Sequence, residues 1–546
     1  MKKLFFAVSL FLCIFTVWGQ AYPSVKPVKN LIVMIPDGTS IGVVSAARWY
    51  QMYNQQVNHL NIDPYLCGTV STFCSNAPIG DSAPTTSCYM TGVPSQAGFV
   101  STYPPVTGKE IIPLDATKAY QPLATVLEAA KILQNKATGL VVTCEFPHAT
   151  PADCASHSYS RGKYKWIAPQ MAHNVDVMFG GGNGAITEEI RAFFNTKGTT
   201  LIQNDIENFR NYNSGGKVWA LWENMGHPFD IDRDPAKIPS LGEMTKKALD
   251  VLSKNPNGFF LMVEGSEVDY AAHGNDAVGC ITEFLAFDKA VGIALEFAKQ
   301  NGETAVVILP DHGNSGFTIG RKGCGGSSST LEELFGSVSK YKKSAKGLAN
   351  ILKDVKPEQI AAVFKQYTDI ELADKELQLI LKSKDYKQGD DYTQASEAQD
   401  LASNLKDIMN SKTCFGFTSG SHTAEEVFLA AYHPQGDVPK GFHTNVEINQ
   451  YLCKALGFTT STLPDLTSKI FAKHSDVLKG YSYSIDATGD LAVLTVKKGK
   501  NTLVLRASNS VAYLNKKPVD LGSVVVYVDK TDNFYLPADL LLKVKL

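Results

Sequence analysis

An excess of charge of either sign is what this sequence most plainly lacks. Its 52 Lys and Arg residues face 54 Asp and Glu residues, a formal net charge of −2. That balance gives no electrostatic case for nucleic acid or for an anionic membrane surface as a partner. Long apolar runs are scarce as well. Beyond Trp18 none approaches the ~20 residues that span a bilayer. No C-x-x-C pair occurs among the ten cysteines, so a cysteine zinc site is not indicated. No internal repeat or low-complexity tract stands out.

The N-terminus stands apart in composition. Lys2 and Lys3 precede an apolar stretch from Leu4 to Trp18, and Gly19-Gln20-Ala21 offers small residues for cleavage. Residues 1–21 read as a secretory signal peptide, which places the mature protein in the periplasm or outside the cell. The stretch is short for a membrane anchor, and Cys13 lacks the small residues before it that a lipoprotein cysteine needs. Export implies an oxidising compartment, where some of the nine remaining cysteines pair and an odd one stays free. Cys67 and Cys74 bracket a local loop that a disulfide could close.

The remaining chain is too long for one simple core. Lys29 to Pro36 is a continuous apolar run that ends in Asp37-Gly38 and reads as a buried strand and turn. Helical spacing over 121–135, 241–253 and 281–300 leads each time into an apolar strand, at 138–144, 259–263 and 305–309. This alternation predicts an α/β fold with a large, mostly parallel central sheet and helices on both faces. An acid follows each strand: Asp37, Glu145, Glu264 and Asp311. Four carboxylates converging beyond the carboxyl ends of a sheet would repel one another without cations. Residues 321–412 are rich in Lys, Glu and helical patterns and read as an inserted helical subdomain. From about residue 476 the period changes to two, which predicts a small β-rich accessory domain over 476–546. The catalytic core is then 22–320 together with 413–475.

The densest cluster of chemistry is Gly80 to Gly92, G-D-S-A-P-T-T-S-C-Y-M-T-G. Pro84 suits the first turn of a helix, which puts Ser82 at or just before a helix N-terminus. Free N–H groups and the helix dipole favour negative charge there. A serine in that place serves as a nucleophile if a metal or base lowers its pKa, or simply caps the helix. Asp269 and His273 are four apart and share one helix face. Asp311-His312 stands at a strand end, and His422 sits in a Gly/Ser loop. Mixed N and O donors of this kind suit zinc, and Thr150 and Glu264 are oxygen donors of the kind magnesium prefers. Arg161 could form a bidentate fork on phosphate.

With these motifs the chain resembles the alkaline phosphatase family. D-S-A-P-T-T-S-C-Y-M-T-G matches the nucleophile segment. E-x-x-H-A-T-P-A-x-x-x-x-H-x-x-x-R matches the segment with the magnesium threonine and phosphate arginine. V-E-G-S-E-V-D-Y-A-A-H, P-D-H and S-H-T-A-E-E-V match the remaining metal segments, in the same order. The resemblance covers residues 29–320 and 413–460. It implies one Zn2+ on Asp269, His273 and His422, a second Zn2+ on Asp37, Asp311 and His312, and one Mg2+ on Asp37, Thr150 and Glu264. Ser82 would attack and Arg161 would clamp phosphate. His148 stands where many bacterial members carry aspartate, at the edge of the substrate site, which puts the third metal's identity in question. Tyr270 follows Asp269 where members often carry lysine or histidine.

The implied activity is hydrolysis of small phosphate monoesters through a phosphoserine, with inorganic phosphate as product. Three other readings compete. A sulfatase would want arginine at position 86, where this chain has Thr86. A phosphodiesterase could use the same metals, but Arg161 favours the more highly charged monoester. A non-catalytic secreted binding protein would hold its metal in a closed site.

Overall fold

The computed structural model describes residues 25–384 and 401–546. The expected leader over 1–21 lies outside the described residues. Among the described residues no helix is long and apolar enough to cross a membrane.

Ten strands build the main sheet. In chain order they are β1 (Asn30–Pro36), β2 (Leu66–Ser71), β3 (Ala137–Glu145), β4 (Val177–Gly181), β5 (Thr200–Gln203), β6 (Val218–Leu221), β7 (Phe259–Gly265), β8 (Thr304–Ile308), β9 (Val427–Tyr432) and β10 (Gly441–Thr444). Their order across the sheet is β10-β2-β9-β8-β1-β7-β3-β4-β6-β5. Only β9 runs against its neighbours, pairing antiparallel with both β8 and β2. The sheet is therefore mostly parallel, as the alternation of elements predicts. The strands β2, β4, β5, β6 and β10 escaped the sequence reading because they are short and lack a long apolar run.

Side chains of β1 alternate between two cores. Ile32 and Met34 join one cluster with helices α1 (Ile41–Gln55), α5 (Leu241–Leu252) and α7 (Ala277–Asn301). Leu31, Val33 and Ile35 join the other with α2 (Ser82–Thr91), α3 (Val126–Gln134) and α4 (Ala149–Ala155). The period of two along a strand requires this split, and burial on both faces explains why β1 is apolar throughout. Residues of the helices described within 331–384 and 401–411, such as Phe335, Leu348 and Phe364, belong to the first cluster. They add to an existing core rather than forming a separate one.

The C-terminal part is a seven-stranded antiparallel sheet that begins with Ala472–Lys473 and has its own apolar cluster. The sequence reading missed its strand at Asn509–Leu514, which carries only weak alternation.

The cysteine pairing differs from expectation. Cys324 and Cys414 form a disulfide at the base of the helical region. Cys67 and Cys74 are both free thiols. Cys67 sits in β2, whose extended backbone runs about 13 Å from Cys67 to Ser71 alone. The strand thus carries the chain away from Cys67 before it reaches Cys74, beyond the strand's end.

Candidate active site

Parallel register sets the first layer of the site. Ile35 of β1 lies opposite Glu264 of β7, and Met34 lies opposite Ile308 of β8. The three adjacent strands therefore end level, and they deliver Asp37, Glu264 and Asp311 to one edge. All three are fully buried. Glu145 does not join them. Its carboxylate accepts the Tyr164 hydroxyl at 2.6 Å, and Asp269 takes the fourth place instead. The strand-end pattern predicted four converging acids, but Glu145, the last residue of β3 and beyond a shift in its register against β4, bonds Tyr164 instead.

Asp269 lies in the first turn of α6 (Glu267–His273), the helix that follows β7 directly. Its Oδ2 lies 3.3 Å from His273 Nε2, one helical turn on. His422 comes from far along the chain. It is placed by a two-residue strand in which His422 pairs with Asn314. His273 Nε2 and His422 Nε2 face each other at 3.1 Å, and the His312 and His422 rings stack at 3.8 Å.

The three histidines share one device. Nδ1 of His273 is 2.9 Å from the Gly420 carbonyl, Nδ1 of His422 is 2.9 Å from that of Gly80, and Nδ1 of His312 is 3.1 Å from that of Gly313. A carbonyl oxygen only accepts, so Nδ1 carries a proton, and in the neutral ring Nε2 presents its lone pair. The hydrogen bond with Asp269 raises the His273 pKa to about 9, so that ring must give up a second proton before its Nε2 can bind a cation. All three Nε2 atoms point into the cluster. Each carboxylate is likewise half held. Asp311 Oδ1 accepts the backbone N–H groups of Gly38 and His312, whereas its Oδ2 has no hydrogen bond. Asp269 Oδ1 accepts Asn314 Nδ2 at 2.7 Å. Asp37 Oδ1 and Glu264 Oε1 are buried without a hydrogen-bond partner, and so is Thr150 Oγ1 on α4.

Gly38 makes this crowding possible. Its φ is +58°, and a Cβ there would fall 2.0 Å from Asp269 Oδ1. Only glycine combines that backbone with that approach.

The electrostatics agree with a cation site. Burial raises the Asp37 pKa well above the usual range, and Asp311, Asp269 and Glu264 raise it further. Glu264 is pushed up to about 8, first by burial and then by Asp311. Two like charges 4 Å apart repel by about 4 kcal/mol at an effective dielectric constant of 20. Several such pairs rival the whole stability of a domain. Two donor groups fit a cation each: Asp37, Asp311 and His312, and Asp269, His312 and His422. Within each group the ligand atoms lie within 4.8 Å of one another. The residues present therefore fit metal ions.

Ser82 is the first residue of α2, and Asp81, with φ −135° and ψ 149°, is its N-cap. The serine thus does not cap the helix. Its Oγ lies 3.2 Å from His312 Nε2 and 3.5 Å from Asp37 Oδ2, and it is 1% exposed. The Asp81 carboxylate leaves the helix end and accepts Gly98 N–H at 2.9 Å and Arg161 Nη1 at 2.5 Å. Burial pushes the Asp81 pKa up, but the Arg161 guanidinium, the Gly98 N–H and the nearby His312 and His422 together outweigh it, and the net shift is downward. Arg161 Nη2 also lies 2.7 Å from His148 Nε2. Burial and the adjacent Arg161 lower His148 to about 3, so the ring is neutral. Tyr270 stands on the exposed rim, its ring 5.9 Å from that of His148.

The structure thus gathers Ser82, Asp37, Asp269, His273, Asp311, His312 and His422, with Glu264 beside Asp37 and Arg161 and His148 on the flank. Sequence reasoning missed Asn314 and the role of Asp81. Asp81 had a signal, its place beside Ser82. Asn314 had none, because its contact with Asp269 exists only in three dimensions.

A family model for alkaline phosphatase matches residues 28–458. Alkaline phosphatase 3 of Bacillus subtilis is 31% identical over 447 residues, 79% of this chain and 89% of that protein. The repressible alkaline phosphatase of Saccharomyces cerevisiae is 28% identical, covering 80% of this chain and 83% of its own length. Among solved structures, a cold-active alkaline phosphatase from Shewanella sp. superposes with a TM-score of 0.67 at 27% identity, over 78% of this chain and 99% of that one.

Proposed function

Because the chain belongs to the alkaline phosphatase family, a family of phosphomonoesterases, we propose that it hydrolyses phosphate monoesters through a phosphoserine on Ser82. The observation that carries this reading is the position of Ser82 Oγ. It stands at the N-terminal end of a ten-residue helix, 3.2 Å from a histidine and 3.5 Å from an aspartate of one candidate metal group.

In this reading zinc is held by Asp269, His273 and His422, a second zinc by Asp37, Asp311 and His312, and magnesium by Asp37, Thr150 and Glu264. Bound there, the cations would lower the pKa of the serine hydroxyl and offset the charge of phosphate and leaving group.

The chain's own residues do the rest. Ser82 Oγ attacks phosphorus in line and its proton passes to solvent. The P–O bond to the leaving group breaks on the opposite side, and the departing oxygen takes a proton from solvent to become the alcohol. Free N–H groups in the first turn of α2 stabilise the charge that gathers on the phosphoryl oxygens. Arg161 binds two of those oxygens through its planar fork. Asp81, next to the serine in the chain, accepts from Nη1 and tethers that fork. Water then attacks the phosphoserine from the vacated side and releases inorganic phosphate. Little of the ester beyond its phosphate meets the site in this scheme, which predicts broad monoester specificity. The leader composition of residues 1–21 supports export to the periplasm or the medium.

The test is hydrolysis of a chromogenic phosphate monoester beside a diester and a sulfate ester, before and after chelation and add-back of zinc and magnesium. Preference for the monoester, lost on chelation and restored by the metals, is expected. Preference for the diester would overturn the substrate class and the role of Arg161.

A further inference from the structure

The scheme above uses no sulfur, yet a thiol stands beside the third cation position. Cys144 is fully buried near the end of β3, and its Sγ lies 3.6 Å from Glu264 Oε2. One ligand atom each from Cys144, His148 and Glu264 lies within 4.8 Å of the other two. Two atoms of these residues, His148 Nδ1 and Glu264 Oε1, are buried without a hydrogen-bond partner. An ion with bonds of about 2.0–2.3 Å sets tetrahedral donors roughly 3.3–3.8 Å apart, so the group closes on one metal with small shifts.

Glu264 therefore belongs to two donor sets. With Asp37 and Thr150 it is a hard, all-oxygen set. With Cys144 and His148 it is a soft set of thiolate, imidazole and carboxylate. Magnesium demands oxygen ligands and sheds its water reluctantly. Thiolate and imidazole select zinc and its neighbours.

We propose that the third cation position of this chain takes a zinc-class ion bound by the Cys144 thiolate, a ring nitrogen of His148 and Glu264. This rests on the metal-dependent phosphatase reading and changes the third metal within it. Binding replaces the thiol proton, which leaves to solvent, and no oxidation state changes. A consequence follows for Arg161. A neutral imidazole has one N–H and one lone pair. If Nε2 binds the ion, its lone pair is used; if Nδ1 binds, Nε2 carries the proton. Either way His148 stops accepting from Arg161, and that side of the guanidinium becomes free for phosphate.

The test loads the full-length protein with cobalt(II) and records its near-ultraviolet spectrum. The other two positions offer only nitrogen and oxygen, so a sulfur-to-cobalt charge-transfer band reports this site. The band is expected in the parent and absent from Cys144→Ser and Cys144→Ala. Metal analysis of the zinc-and-magnesium-loaded parent should find three zinc-class ions per chain. Cys144→Ser should move the third position toward magnesium by at least about tenfold. A parent with no sulfur band, or a band that survives in Cys144→Ser, overturns the proposal. A parent that hydrolyses monoesters but lacks the band rejects this inference alone. A parent that shows the band but no hydrolysis rejects the phosphatase reading alone.

Discussion

Asp81 and Arg161 are 80 residues apart in sequence and joined in space, with Nη1 of the arginine 2.5 Å from Oδ1 of the aspartate. The residue next to the proposed nucleophile thus holds the residue that would clamp phosphate. Without Asp81 the guanidinium regains rotamer freedom, worth about 0.5–1.5 kcal/mol on immobilisation. For Asp81→Ala we expect KM for monoesters and the inhibition constant for inorganic phosphate to rise together, by roughly 2- to 10-fold. An unchanged phosphate inhibition constant would show that the pair does not serve binding.

Ser82→Ala removes the hydroxyl at the mouth of α2 that lies 3.2 Å from His312 Nε2 and 3.5 Å from Asp37 Oδ2. Turnover should fall by about 10³-fold or more, since a nucleophile acts as a unit with its activating groups. Metal content should stay at the parental level. Quench-flow with a labelled monoester should trap phosphoprotein in the parent and none in the variant. Parental turnover in the variant would sink the assignment.

Asn314 donates to Asp269 Oδ1 at 2.7 Å and is fully buried. It orients a carboxylate that would bind zinc. Partners of this kind typically carry 10- to 100-fold in metal affinity. Asn314→Leu should therefore lose zinc to a competing chelator about 10- to 100-fold more readily. Asn314→Asp, which offers no donor when ionised, should do no better, and Asn314→Gln should recover part of the loss. Equal zinc retention in all three would contradict this role.

His227 lies in the core, 3% exposed, with Nε2 unpaired. Burial, with Arg233 adding to it, lowers its pKa from 6.5 to about 4. The unfolded chain binds this proton first as pH falls. The native state is therefore fully favoured above about pH 6.5, and that advantage disappears as pH drops toward 4. The shift corresponds to roughly 3 kcal/mol. Urea unfolding at several pH values should show a shallower acid loss in His227→Asn than in the parent. Parallel curves would remove His227 from the acid response.

Much of the site was written in the chain. Residue type and spacing marked Ser82, the Asp269–His273 turn and the acids after β1, β7 and β8, because strand ends and helix turns place side chains by local rules alone. The same rules misled at Glu145, which obeys the strand-end pattern yet turns to Tyr164. They misled at Cys67 and Cys74 too, which are near in sequence and kept apart by an extended strand.

Other features exist only after folding. The level ends of three neighbouring strands depend on hydrogen-bond register. The arrival of His422 beside His273 depends on a strand pair formed across more than a hundred residues. The Nδ1 contacts that bare each Nε2 are made to backbone carbonyls, which carry no residue identity for a sequence to reveal. By itself the sequence determined which chemical groups are present and which sheet edge receives them. The tertiary structure decided which oxygen or nitrogen of each group is held and which is left bare, because that depends on distances between segments remote along the chain.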